Sequence, residues 1–319
     1  MPELRIHPFS EEHIPDAAAL LEERHRRHRE VEPGLPANVD FRAEIEGVWS
    51  MDERSGAAAI RDGELVGYLL GAHRDQSWGS NMWVEYAGHA VREPELVRDL
   101  YAVTAEEWVA RGRDAHYALV PATEPELVDA WFRLSFGAQH AAGIQETPDS
   151  TTASPAPNVV VRRAAAEDVD AATAIDLELP RHQDRAPVFS RIHAPAAISD
   201  DDREEFLSDV EDPEIGLFVA EIDGKLVGEL LMVPVERSSM HSGLARPERA
   251  AFLTFAATLP EARGSGAGLA LTDAGLAWAR EQGYAVTVVD WRETNLLASR
   301  FWPRRGFRRT FLRLYRSIP

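Results

Sequence analysis

Two stretches of this chain carry the same hairpin. Asp62-Gly63-Glu64-Leu65-Val66-Gly67-Tyr68-Leu69-Leu70 aligns with Asp223-Gly224-Lys225-Leu226-Val227-Gly228-Glu229-Leu230-Leu231. In each, an Asp-Gly pair separates two apolar runs, and such pairs supply the positive φ angles that a two-residue hairpin turn demands. A second correspondence lies upstream. Leu4-Arg5-Ile6-His7-Pro8 precedes a helical pattern over 10–30, as Val159-Val160-Val161-Arg162-Arg163 precedes one over 167–179. The repeat predicts two copies of one domain, 1–146 and 159–319, and a length of 319 residues exceeds what one core usually organises. Between them, 147–158 is rich in Pro, Ser, Thr and Ala and reads as an exposed linker. Each half runs strand, one or two helices, three strands, helix, strand, helix and terminal strands. That order predicts an α/β fold, a mixed central β-sheet flanked by helices.

The second half contains a glycine-rich turn, Arg263-Gly264-Ser265-Gly266-Ala267-Gly268, between a strand pattern over 251–258 and a helical one. The first N–H groups of a helix lack intrahelical partners and carry the positive end of its dipole, so the turn predicts an anion cradle, best suited to a phosphate. A P-loop would need Lys-Ser/Thr after the last glycine, where Leu269-Ala270 stands, and a dinucleotide fingerprint would need glycine at Leu269. The helix after the turn carries Ala270, Leu271, Ala274, Ala277 and Trp278 on one face and ends at Gly283. Val286 to Val289 is the next buried strand and delivers Asp290 to its end.

Arg-x-x-Gly-x-Gly after Thr258-Leu259-Pro260, followed by Asn295-x-x-Ala298-x-x-Phe301-Trp302-x-x-x-Gly306-Phe307, resembles the GNAT superfamily of acyl-CoA-dependent N-acetyltransferases. The motifs cover roughly 250–310. The resemblance implies two tandem GNAT-type domains, like those of the mycothiol synthases, with acetyl-CoA as cosubstrate in the second. It places the cosubstrate on Thr258, Leu259, Arg263, Gly264, Ser265, Gly266, Ala267, Gly268, Asn295 and Trp302. It also implies a backbone oxyanion donor near Thr258 and Leu259, and contact of Asn295 with the pantetheine arm or its loop. The N-terminal half lacks these features. Its turn region, Gly88 to Glu95, has no closely spaced glycines and carries Glu93 and Glu95; Glu124 stands for Asn295, and Ser135 for Gly306. A degenerate first domain is expected, one that buries an edge or shapes the acceptor pocket.

An alkylammonium of pKa ~10 is neutral in only about one molecule in a thousand at pH 7, so attack on a thioester gains from a positioned base. The chain departs from the family at both usual proton carriers. Trp302 stands where many members have a tyrosine acid, and Thr254 where some have a glutamate base. Asp290 is the leading base or amine anchor, with helix capping or pairing to Arg292 as the equal alternative; Glu229 and His241 rank below it. Asn295 also suits an N-cap. The arginines from Arg300 to Arg316 read as the solvated face of terminal strands, with one or two free to meet a phosphate.

A net charge of −19, with 28 acidic against 14 basic side chains in the first 150 residues, argues against general nucleic-acid binding; it suits a cationic acceptor and, equally, solubility alone. The chain has no cysteine, which excludes thiolate chemistry and thiolate metal sites, and its histidines form no ligand signature, so no metal is expected. No apolar run of membrane length and no signal peptide is present, which predicts a cytoplasmic protein, monomer or homodimer. The expected activity is acetyl transfer to the primary amine of a small molecule. A non-catalytic acyl-CoA-binding module and a protein N-acetyltransferase are the alternatives.

Overall fold

The computed structural model describes residues 3–75, 78–149, 156, 158–190, 195 and 197–319. Of the expected linker, 150–155 and 157 lie outside the described residues. The chain divides into two compact units, 1–142 with 242–246 and 309–319, and 143–241 with 247–308. The boundaries therefore differ from those read in the sequence at the C-terminus. Alternation marks 308–317 as a strand but does not name its partner. That partner is a first-unit strand, with Leu314 opposite Ala118, and Phe311 and Leu244 join the first unit's core.

The first unit runs β1 (Leu4–Pro8), α1 (Ile14–Val31), α2 (Phe41–Trp49), β2 (Ser55–Arg61), β3 (Glu64–Gly71), β4 (Asn81–Val84), β5 (His89–Val91), α3 (Leu96–Ala110), β6 (Ala115–Pro121), α4 (Pro125–Phe132) and β7 (Gly137–Glu146), the last passing into the second unit at Gly143. The second unit repeats the order with β8 (Val159–Arg163), α5 (Val169–Asp176), α6 (Glu178–Gln183), α7 (Asp200–Glu211), β9 (Gly216–Ile222), β10 (Lys225–Pro234), β11 (Ala250–Thr258), α8 (Ala267–Glu281), β12 (Val286–Arg292) and α9 (Ala298–Arg304). β13 (Arg308–Ser317) then returns to the first unit.

The repeat extends to fine detail. Both Asp-Gly turns have positive φ at both residues, 53° and 83° at Asp62-Gly63 and 50° and 74° at Asp223-Gly224, so both hairpins close on the turn that matches strand twist. Each hairpin bulges at one valine. Val66 has no partner between Leu65 and Gly67, nor Val227 between Leu226 and Gly228. Each bulged carbonyl then accepts an N–H from the strand end beyond, Arg92 N at 2.9 Å and Leu259 N at 2.8 Å. The first helices also start alike, after a 3-10 turn whose last residue accepts a backbone N–H three residues back: His13 from Ser10, and Asp168 from Ala165. The single helix expected over 167–179 is three pieces, the turn at Ala166–Asp168, α5 and α6.

In the second unit β12, β11, β10, β9 and β8 are neighbours in that order, and only the β11–β12 pair is parallel. α8 packs on one face so closely that a Cβ on Gly275 would stand 2.8 Å from Leu230 Cδ2. On the opposite face Ala172 of α5 and Phe206 of α7 close a core with Leu217, Val233, Phe252 and Val288. Burying each large side chain of this kind is worth about 1.5–3 kcal/mol, which fixes the register of the strands that carry the site.

Candidate active site

β11 and β12 part company halfway. Their parallel ladder runs from Ala250/Val286 to Leu253/Val289 and stops, although β11 continues to Thr258 and β12 to Arg292. The cause lies on β10. Leu231 and Met232 pair with Phe255 and Leu253, leaving Thr254 as the extra residue of a β-bulge that bends β11 away. A fork results, open between 254–258 and 290–292.

The register decides which backbone groups face the fork. Because Leu259 N donates to Val227 O, the Gly228/Thr258 pair is of the non-hydrogen-bonded kind, so the Thr258 N–H points away from β10. By alternation the Ala256 N–H does the same. Leu259, expected as a possible oxyanion donor, is thereby corrected: its N–H is engaged by the bulged carbonyl of Val227, and the N–H turned to the fork at this end is that of Thr258.

The glycine turn follows directly. A 3-10 turn at Pro260–Ala262 leads to Gly264 (φ 85°) and Gly266 (φ 95°), left-handed conformations that strain any side-chain-bearing residue, and α8 starts at Ala267. Within the turn, Ser265 N donates to Ala262 O at 3.2 Å, and Ala267 N to Ser265 Oγ at 3.2 Å. The N–H groups of Gly264, Gly266 and Gly268 have no partner among the described residues. The cradle thus consists of alternate N–H groups, three of the five residues expected to supply it. A Cβ on Gly268 would lie 3.8 Å from Thr258 Cγ2, which places the start of α8 against the end of β11.

Beside the turn is a groove of about 440 Å³ lined by Glu178, Arg181, His182, Arg185, Pro260 and Arg263. Three arginines at one place in a chain of charge −19 make the groove locally basic, although Arg181 is paired with Glu178 of the same lining at 3.0 Å. Arg263 was expected there. Arg181 and Arg185 were not, since nothing in the sequence signals that α6 lies against the turn. The C-terminal arginines point to other tasks: Arg308 pairs with Glu146, and Arg313 bonds Gln139 and lies over Trp78.

The sequence profile of the Acetyltransferase (GNAT) family matches residues 182–307. That segment is a GNAT domain. Among solved structures, a GCN5-related N-acetyltransferase from Sphaerobacter thermophilus is similar with a TM-score of 0.57 and 13% identity, over 98% of this chain and 95% of its own. The GCN5-related glucosamine N-acetyltransferase region of a fungal multi-domain GH3 β-N-acetylglucosaminidase is similar with a TM-score of 0.53 and 14% identity, over 99% of this chain and 38% of that one. At such identities the likeness is one of fold. No curated protein sequence matches the chain.

Around the fork of the GNAT domain, Asp290 is the first β12 residue past the ladder and is half-buried. Val288 belongs to the core beneath α5 and α7, so Asp290 and Arg292 face that side too, and Arg292 Nε donates to Gln183 Oε1 of α6 at 2.9 Å. Asn295 is buried. Its Oδ1 accepts from Leu297 N and Ala298 N at 3.1 and 3.3 Å, capping α9, and from His182 Nε2 at 3.1 Å. α6 is therefore tied to the end of β12 at two points. Trp302 is buried edge-on to Phe301 and Phe307, and Trp131 packs the same way on Phe136 in the first unit. A packing role accounts for both indoles.

Glu229, on β10 opposite Ala257, shares the α5/α7 face and is 3% exposed. Burial, with Asp176, Asp209 and Asp168 nearby, pushes its carboxyl up to about 9. His241 is also buried and lies against the Phe252 ring, with Ser238 Oγ 3.0 Å from its Nδ1.

In the first unit the equivalent opening is bridged by side chains. Here β4 stays in register with β6 up to Val84/Ala118, while β5 pairs with β3. His89 occupies the register position of Ala256, and its Nε2 lies 3.1 Å from the carbonyl of Leu119, the residue matching Asp290. From α1, the buried Arg24 guanidinium donates to the carbonyls of His89 and, at 2.6 Å, Tyr86. Burial, with Arg24 beside it, lowers the His89 pKa to about 3, so the imidazole is neutral. The phosphate turn is missing outright. Three residues separate Arg92 from the start of α3, against seven from the matching Leu259 to α8, and Glu93 within them pairs with Arg61.

Proposed function

We propose that the second unit transfers an acetyl group from acetyl-CoA to the primary amine of a small molecule by direct attack, and that the first unit is non-catalytic. The observation that carries the reading is the fork whose unpaired β11 edge runs straight into a glycine turn with three unclaimed N–H groups. The fit to the cosubstrate is chemical. An acyl-pantetheine arm carries amides that an open strand edge can hydrogen-bond, and its pyrophosphate matches the glycine N–H groups and the Arg181, Arg185 and Arg263 groove. The Thr258 N–H would donate to the thioester oxygen as charge develops on it, in a position fixed by the bulge and the Val227 contact. Asp290, across the fork, would accept the proton of the attacking ammonium or hold it in place. Asn295 would act by fixing the β12–α9 loop. With Trp302 in the core, no side-chain acid is assigned to the leaving thiolate.

Because the chain has no cysteine, any thiol appearing in a reaction mixture comes from CoA. A thiol reagent therefore reads turnover directly. The expected result is amine-dependent CoA release that falls at least tenfold in Asp290→Asn with acetyl-CoA affinity retained. Affinity for acetyl-CoA without release for any amine would instead support a binding module, the reading favoured by the tryptophan at 302.

A further inference from the structure

A carboxylate cluster leads inward from the surface of the second unit to Glu229. Asp202 and Glu205 on α7 are exposed, while Asp209 on α7 and Asp176 at the end of α5 are half-buried. The groups feel one another. Asp176 is pushed up to about 6 by burial and by Asp202, Glu205 and Asp209, and Asp209 is raised by burial and by Glu205. At the inner end Glu229 is 3% exposed, and its Oε2 has no hydrogen-bond partner among the described residues. An unpartnered buried carboxyl facing other carboxylates costs stability and serves no packing purpose. The arginines nearby are committed elsewhere, Arg162 to Asp168 and Glu221, and Arg237 to Asp212 and Glu214.

The first unit shows what these positions hold when the fold alone is served. Tyr68 takes the register position of Glu229, fully buried, with its hydroxyl donating to Ala87 O at 2.8 Å. Counted from the matching helix starts, Leu21, also fully buried, takes the position of Asp176. An apolar residue and a satisfied hydroxyl in one copy have become two acids in the other. Asp176 moreover sits at the C-terminal end of α5, where the helix dipole disfavours a negative charge. No group of side chains fit to hold a metal ion occurs among the described residues.

We infer that this carboxylate cluster is the anchor for the far end of the acceptor, and that the acceptor is a diamine or polyamine, held by one ammonium at Glu229, Asp176 and Asp209 while another nitrogen reaches the fork. The inference rests on the proposed acetyl transfer for the second nitrogen's role only. Glu229 lies on the strand next to β11, about 5–10 Å from the fork at ordinary strand spacing, a distance that a short alkyl chain between two nitrogens spans. Binding exchanges the proton that Glu229 holds at neutral pH for the ammonium charge, so the buried carboxyl gains the partner it lacks.

The test has two arms. Calorimetric titration with spermidine at 0.15 M salt, without acetyl-CoA, should give one site per chain, weakened at least tenfold in Glu229→Gln and in Asp176→Asn and unchanged in Asp201→Asn, an exposed acid outside the cluster. In the second arm, kcat/KM for 1,4-diaminobutane should exceed that for butylamine by at least fiftyfold in the wild-type protein and by less than fivefold in Glu229→Gln. Spermidine affinity indifferent to both Glu229→Gln and Asp176→Asn, or equal use of the mono- and diamine, overturns the inference. Spermidine bound as expected in a protein that never binds acetyl-CoA would refute the acetyl-transfer reading and leave the cation site standing.

Discussion

Replacing Glu229 by glutamine should stabilise the protein, and increasingly so as pH rises. The folded carboxyl titrates near 9, against 4.5 as its ordinary value. Between those values the folded chain holds a proton that the unfolded chain has released, so this group's contribution to stability falls as pH increases. The slope for one proton is about 1.4 kcal/mol per pH unit. Glutamine, close to the protonated acid in shape, has no proton to lose. From pH 6 to pH 8 the advantage of Glu229→Gln over wild type should therefore grow by up to about 3 kcal/mol. In a cooperative unit of this size, that corresponds to a Tm difference widening by roughly 5–10 °C. Scanning calorimetry of both proteins at the two pH values, without polyamine, reads it directly. A Tm difference that stays constant with pH, or a variant less stable than wild type at pH 8, would refute the account of Glu229 as a buried, unpartnered acid.

Arg24→Ala should cost the first unit about 2–4 kcal/mol, because it leaves the carbonyls of His89 and Tyr86 buried without a donor, while acetyl-CoA affinity stays within twofold; thermal denaturation and calorimetric titration check the two halves. Gly268→Val should fold normally, since the nearest atom to the added Cβ is 3.8 Å away, yet lose at least tenfold in acetyl-CoA affinity by occupying the approach to the turn. Asn295→Ala should lower stability by about 1 kcal/mol through loss of the α9 cap, and Asn295→Asp, which keeps the acceptor, should recover most of it in denaturant titrations.

The sequence exposed the repeat and the glycine turn because both rest on local requirements: positive φ at Asp-Gly pairs, and glycine where backbone meets an anion. It could not show the partner of the last strand, since alternation fixes a strand's faces and not its neighbour. The Thr254 bulge was equally invisible. It is defined by the register against β10, and it decides that Thr258, not Leu259, turns its N–H to the fork. Arg181 and Arg185 lie past the helix expected over 167–179 and carry no sequence signal, and only tertiary packing brings them to the turn. The absence of glycines near Glu93 was legible as degeneracy. Its physical form was not: a turn four residues shorter, and a fork closed by His89 and Arg24.

The most direct test of the central claim is a calorimetric titration of the full chain with acetyl-CoA, run on the wild-type protein and on Gly268→Val. One site per chain, lost in the variant, is the predicted result. Two sites per chain would contradict the closed fork of the first unit, and no binding at all would contradict the assignment of the second unit's fork and glycine turn to an acyl-CoA.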